Sequence, residues 1–67
     1  MQEKTVHIPN ISCIHCVNTI KRELGDLDGI INVEGSPVTK NITIQWEDTQ
    51  DWDTIRNLLD EIGYPPE

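Results

Sequence analysis

The sequence predicts an α+β fold, an open-faced sandwich with two helices on one face of a small sheet. Three observations predict it. Short β-branched runs alternate apolar and polar residues. Two longer segments repeat apolar residues at spacings of three and four. Gly, Pro and Asn separate these segments in the order β-α-β-β-α. Helices with a single apolar stripe bury it together only against a shared sheet face, which gives two layers.

The first strand is predicted over Glu3–Pro9, where Val6 and Ile8 alternate with Thr5 and His7 until Pro9 and Asn10 break it. A helix is predicted from Ser12 onward, with Val17, Ile20, Leu24 and Leu27 as its stripe and Ser12 as its N-cap. Gly25 and Asp28-Gly29 end it. Ile30–Val33 and Asn41–Trp46 read as two further strands, the latter with Ile42, Ile44 and Trp46 on one face. Gly35-Ser36-Pro37 between them reads as a turn region, so the two strands form an antiparallel hairpin with a longish loop. A second helix is predicted over Asp51–Ile62, with the stripe Trp52, Ile55, Leu58, Leu59 and Ile62. Acidic Asp51 and Asp53 suit its positive N-terminal end, and Gly63 with Pro65-Pro66 stops it. The order is one strand short of the ferredoxin-like βαββαβ arrangement, so the last strand is truncated or absent.

Size and charge narrow the function. The 67 residues allow one domain, 1–67, whose core is too small for a deep substrate cavity. Twelve Asp and Glu against five Lys and Arg give a net charge of −7, the wrong sign for a nucleic-acid footprint. No run is long and apolar enough to insert in a membrane, and the residues after Met1 do not read as a secretory signal. The expectation is therefore a cytoplasmic location, where thiols stay reduced and two cysteines serve metal or redox chemistry rather than a structural bridge.

The chemistry concentrates in Asn10-Ile11-Ser12-Cys13-Ile14-His15-Cys16-Val17. The Cys-x-x-Cys spacing puts one sulfur at the mouth of the helix and the other on its first turn, on a shared face. The free N–H groups and helix dipole there favour thiolate. Two exposed thiolates form a soft anionic pair suited to Cu(I), Hg(II), Cd(II) or Zn(II) rather than Mg(II) or Ca(II). Cu(I) and Hg(II) accept two sulfurs, whereas structural zinc takes four ligands.

These residues resemble the heavy-metal-associated domain, the fold of small copper chaperones and of the N-terminal metal-binding domains of copper-transporting P-type ATPases. The family motif Gly-Met-x-Cys-x-x-Cys reads here Asn10-Ile11-Ser12-Cys13-Ile14-His15-Cys16. The likeness extends through Gly29-Ile30, the alternating third strand and Gly63-Tyr64. Ile11 stands where the family has a methionine that packs under the loop. Asn10 stands for a glycine and tolerates positive φ. The family's fourth strand lies beside the first, so its loss exposes a sheet edge.

The resemblance implies a non-catalytic protein that carries Cu(I) on Cys13 and Cys16. It implies a copper-transporting P-type ATPase, or a similar metal-accepting protein, as the partner. It also implies Tyr64 leaning over the metal loop, against its default reading as an apolar cap of the helix. His15 reads as an exposed spacer, a third ligand, a tuner of the thiolates or a contact across a dimer or partner interface, and Cys-x-His-Cys in some of the chaperones favours tuning. His7 reads as a solvated strand residue. Trp46 and Trp52 fall on apolar stripes and read as core. The acidic run from Glu47 to Asp53 reads as solvated surface or as a face for a basic partner. Two other functions use the same sulfurs: dithiol–disulfide exchange, and binding of Hg(II) or Zn(II). The initiating Met1 favours a free chaperone over an excised transporter domain. A monomer and a metal-bridged homodimer both fit an exposed thiolate pair.

Overall fold

The computed structural model describes Met1–Glu67. Its elements are β1 (Gln2–His7), α1 (Ile14–Gly25), β2 (Ile30–Ser36), β3 (Asn41–Trp46) and α2 (Trp52–Glu61). The strands form one antiparallel three-stranded sheet in the order β1-β3-β2. β3 lies in the centre, opposing Val6 with Ile42 on one side and Val33 with Ile44 on the other. The layered α+β architecture follows the alternation in the sequence.

The core lies between the sheet's inner face and both helices. Val6, Ile8, Ile42, Ile44 and Trp46 meet Val17, Ile20 and Leu24 of α1 and Ile55 and Leu59 of α2, all buried. The opposite sheet face is solvated and polar: Thr5 and Thr43 hydroxyls pair at 2.8 Å, and Gln45 Nε2 donates to Glu3 Oε1 at 2.6 Å. Trp46 stacks on Trp52 with ring centroids 5.9 Å apart, and Lys4 Nζ lies 5.1 Å over the Trp52 ring. Both tryptophans are thus packing residues.

Several boundaries differ from the sequence expectation, each for a physical reason. Ser12 does not cap α1; Cys13 occupies the N-cap position, and Leu27 lies past the helix end, half-buried against the core. β2 runs on to Ser36, leaving only the Pro37–Lys40 turn, whose last residue takes φ 62°. Gly35 belongs to the strand rather than the turn. A Cβ there would collide with Ile42 Cδ1 and sit 3.0 Å from Asn41 O. A register shift between Ile30 and Asn32 bulges Ile31 outward. Residues three apart face opposite ways in a regular strand, so this bulge lets both Ile30 and Val33 reach the core. α2 starts one residue later than expected because Asp51 is its N-cap, with Asp51 Oδ1 accepting from Thr54 N–H at 2.9 Å. No fourth strand forms a ladder. The segment after Tyr64 makes one backbone bond to β1, Glu67 N–H to His7 O at 2.8 Å.

Candidate metal centre

The turn that leads into the cysteines is held by two buried anchors, Ile8 and Ile11. Ile11 N–H donates to Ile8 O at 3.2 Å, closing a β-turn with Pro9 and Asn10 at its corners. Pro suits the first corner because its φ is already fixed. Lys40 is the one non-glycine residue with positive φ, so Asn10 turns without the left-handed conformation that would call for glycine. Ile8 N–H also donates to Lys40 O at 2.8 Å, which ties the loop to the β2–β3 turn at the same end of the sheet. Ile11, in the family's methionine position, is fully buried beneath the loop.

Cys13 sits at the N-cap of α1 with extended backbone, φ −159° and ψ 175°. Cys16 follows on the first turn, its N–H donating to Cys13 O at 3.1 Å. Both thiols are free; Cys13 is exposed and Cys16 half-buried. Cys13 makes no side-chain capping bond, so the first turn keeps unpaired N–H groups beside the sulfurs.

Hydrogen-bond donors gather around Cys16. The Tyr64 side chain is the largest influence, followed by the Ser12 backbone and hydroxyl; the Ser12 Oγ lies 3.7 Å from Sγ. These groups favour the thiolate and outweigh the opposing effect of burial, pulling the Cys16 thiol down to about 6. The Tyr64 hydroxyl is pushed up in return, chiefly because its proton is shared with Cys16. Tyr64 and Ser12 therefore both bear on Cys16, and Ser12 does so from outside the helix rather than as its cap. The spacing from Ser12 to Cys16, one helical turn, was the available sequence signal for that role.

His15 is exposed on α1, with its carbonyl accepting from Thr19 Oγ1 at 2.9 Å. His7 turns to other partners: Nδ1 meets Asn41 Oδ1 at 3.0 Å, and Nε2 lies 3.6 Å from Glu67 Oε2. No group of three His, Cys, Asp or Glu side chains converges anywhere as a metal cage. The arrangement offers two free sulfurs at one helix end, one exposed and one half-buried, and no third ligand beside them.

The fold and the placement of this loop define a class of small domain, and comparison with known proteins names it. The chain belongs to the heavy-metal-associated domain family, which it matches over residues 5–65. It is 28% identical over 68 residues to the copper chaperone CopZ of Bacillus subtilis, covering 96% of this chain and 94% of that one. It is 29% identical over 63 residues to a probable copper-exporting P-type ATPase of Archaeoglobus fulgidus. That match covers 92% of this chain and only 8% of the ATPase. The solved structure of a CopZ metallochaperone superimposes with a TM-score of 0.91 at 16% identity, over 98% of this chain and all of that one (100%), which shows the shared fold. No helix is long and apolar enough to cross a membrane.

Proposed function

We propose that this domain carries Cu(I) between Cys13 and Cys16 and hands it to another thiol-bearing protein. The observation that carries the reading is the free thiol pair at the N-cap and first turn of α1, one exposed and one half-buried, with no third ligand in place. Two thiolates satisfy a soft monovalent ion, while Zn(II) and Cd(II) would be left short of ligands. Hg(II) shares the two-sulfur preference and is the metal that Cu(I) must be tested against.

Transfer proceeds by ligand exchange. A thiolate of the acceptor enters as a third ligand, then one Cu–S bond to this chain breaks; the departing thiolate takes up a proton as the incoming thiol gives one up. Cu(I) keeps its oxidation state throughout, so no reductant or catalytic group is needed. Cys13 is exposed and Cys16 half-buried, so Cys13 is the sulfur the acceptor reaches and the one that leaves first. Tyr64 shields the site on one side, and His15 stays outside as a tuner of the pair rather than a resident ligand.

The similarity to a stretch of a copper-exporting P-type ATPase and to a copper chaperone supports an ATPase metal-binding domain as the acceptor. The test is to mix the Cu(I)-loaded chain anaerobically with such a domain in metal-free form, separate the two, and measure copper in each. Copper in both proteins in a ratio independent of which was loaded supports exchange. Copper that stays with the loaded chain, or that never loads, overturns the reading. A stable Cys13–Cys16 disulfide cycling with a dithiol reductant would point instead to redox exchange.

A further inference from the structure

The Gly63–Tyr64 peptide group is pinned at both its polar atoms. Its N–H, on Tyr64, donates to Leu59 O at 2.8 Å, closing the end of α2. Its carbonyl, on Gly63, accepts from Asn10 Nδ2 at 3.0 Å. A peptide group is planar and rigid, so two opposed bonds fix its orientation and with it the N–Cα bond of Tyr64, leaving the ring only rotation about that bond and its own side-chain torsions. Gly63, with φ +90°, is the flexible joint just before it, and the Asn10 bond removes that freedom. Tyr64 then packs half-buried against the core, as does Cys16, with the two side chains close enough to bear on each other. Asn10 itself stands in the metal-loop turn, bracketed by the buried Ile8 and Ile11, so it links the loop directly to the segment carrying the ring.

We infer that Asn10 is a positioning residue of the metal site: its side-chain amide holds the Gly63–Tyr64 peptide so that the Tyr64 ring stays over Cys16. The resembled family carries glycine at this position, and glycine has no side chain to donate. The turn does not require glycine here, because Asn10 adopts no positive φ. The asparagine therefore adds a tether without cost to the loop. The inference rests on the Cu(I)-carrier reading for its consequence, slower loss of the bound metal, but not for its geometry.

The experiment uses the chain's single tyrosine. In metal-free, reduced protein, nuclear Overhauser contacts between the Tyr64 ring and Cys16 are expected in the wild type and lost or weakened in Asn10→Ala. Cu(I) release to a chromogenic chelator is then timed for wild type, Asn10→Ala, Tyr64→Ala and the double variant. Each single variant is expected to release copper roughly two- to tenfold faster, the range of one solvent-accessible hydrogen bond. The double variant is expected to match Tyr64→Ala alone, since a misplaced ring no longer matters once it is gone. Unchanged ring contacts in Asn10→Ala, or rate effects that multiply in the double variant, overturn the inference. If the wild type takes up no Cu(I), the carrier reading fails, and the ring contacts in the metal-free protein still decide the role of Asn10.

Discussion

Replacing Cys13 with serine should make the metal-free protein more stable while destroying its metal site. Cys13 occupies the N-cap of α1 yet makes no side-chain capping bond, whereas Asp51 at the start of α2 accepts from Thr54 N–H at 2.9 Å. A serine oxygen at position 13 would satisfy one of the N–H groups that sulfur leaves unpaired. N-cap substitutions of this kind are worth ~0.5–2 kcal/mol, so a gain of about 1 kcal/mol is expected. For a domain of this size ~1 kcal/mol moves Tm by roughly 4–8 °C, or the urea midpoint by about 1 M at a slope near 1 kcal/mol/M. The assay is urea denaturation of reduced, metal-free protein, read from tryptophan fluorescence, since Trp46 is buried in the core. Cys16→Ser is the control: Cys16 packs against the core and holds no cap position, so it should bring no gain. An unchanged or lower midpoint for Cys13→Ser would refute the claim that the site displaces a cap.

Other predictions follow from single features of the structure. The Cys16 thiol lies at about 6 when folded and near 9 in an unstructured chain. Its contribution to stability is therefore complete above the unfolded value and is lost as pH falls toward 6. Stability of the metal-free protein should rise from pH 6 to 9, and Cys16→Ser should flatten that slope in urea melts. Gly35→Ala drives a methyl into Ile42 and should cost ~1–3 kcal/mol by overpacking, with part of the loss recovered by Ile42→Val, which removes the atom struck. Ile11→Met, which restores the family residue in the fully buried position under the loop, should cost less than ~1.5 kcal/mol and leave Cu(I) binding unchanged in a chelator competition.

The parts of the structure governed by local periodicity were legible in the sequence. The stripes of α1 and α2 and the alternation of β3 give the layers, and Cys13-x-x-Cys16 places both sulfurs at one helix end. What escaped depends on contacts between distant segments. Gly35 looks like a turn residue until Ile42 is seen across the sheet. The bulge at Ile31 follows from two core residues at odd spacing, a signal that a run of apolar residues hides. Ser12 was the better cap on propensity, but the helix starts one residue later because Cys13 takes that place. Such a conflict between local preference and observed structure is expected where a site overrides stability. The influence of Tyr64 on Cys16 and the Asn10–Gly63 bond required the fold to bring the metal loop and the end of α2 together, whereas the Ser12–Cys16 contact is local and its spacing was open to reading.

The central claim is that Cys13 and Cys16 alone hold one Cu(I). Its most direct test is an anaerobic titration of the reduced protein with Cu(I) against a chromogenic Cu(I) chelator, with Cys13→Ser and Cys16→Ser beside it and Hg(II) and Zn(II) as competitors. The account predicts one copper per chain, withheld from the chelator by the wild type, lost in both variants and not displaced by Zn(II). A chelator that keeps all the copper, or a serine variant that still holds it tightly, would contradict the account.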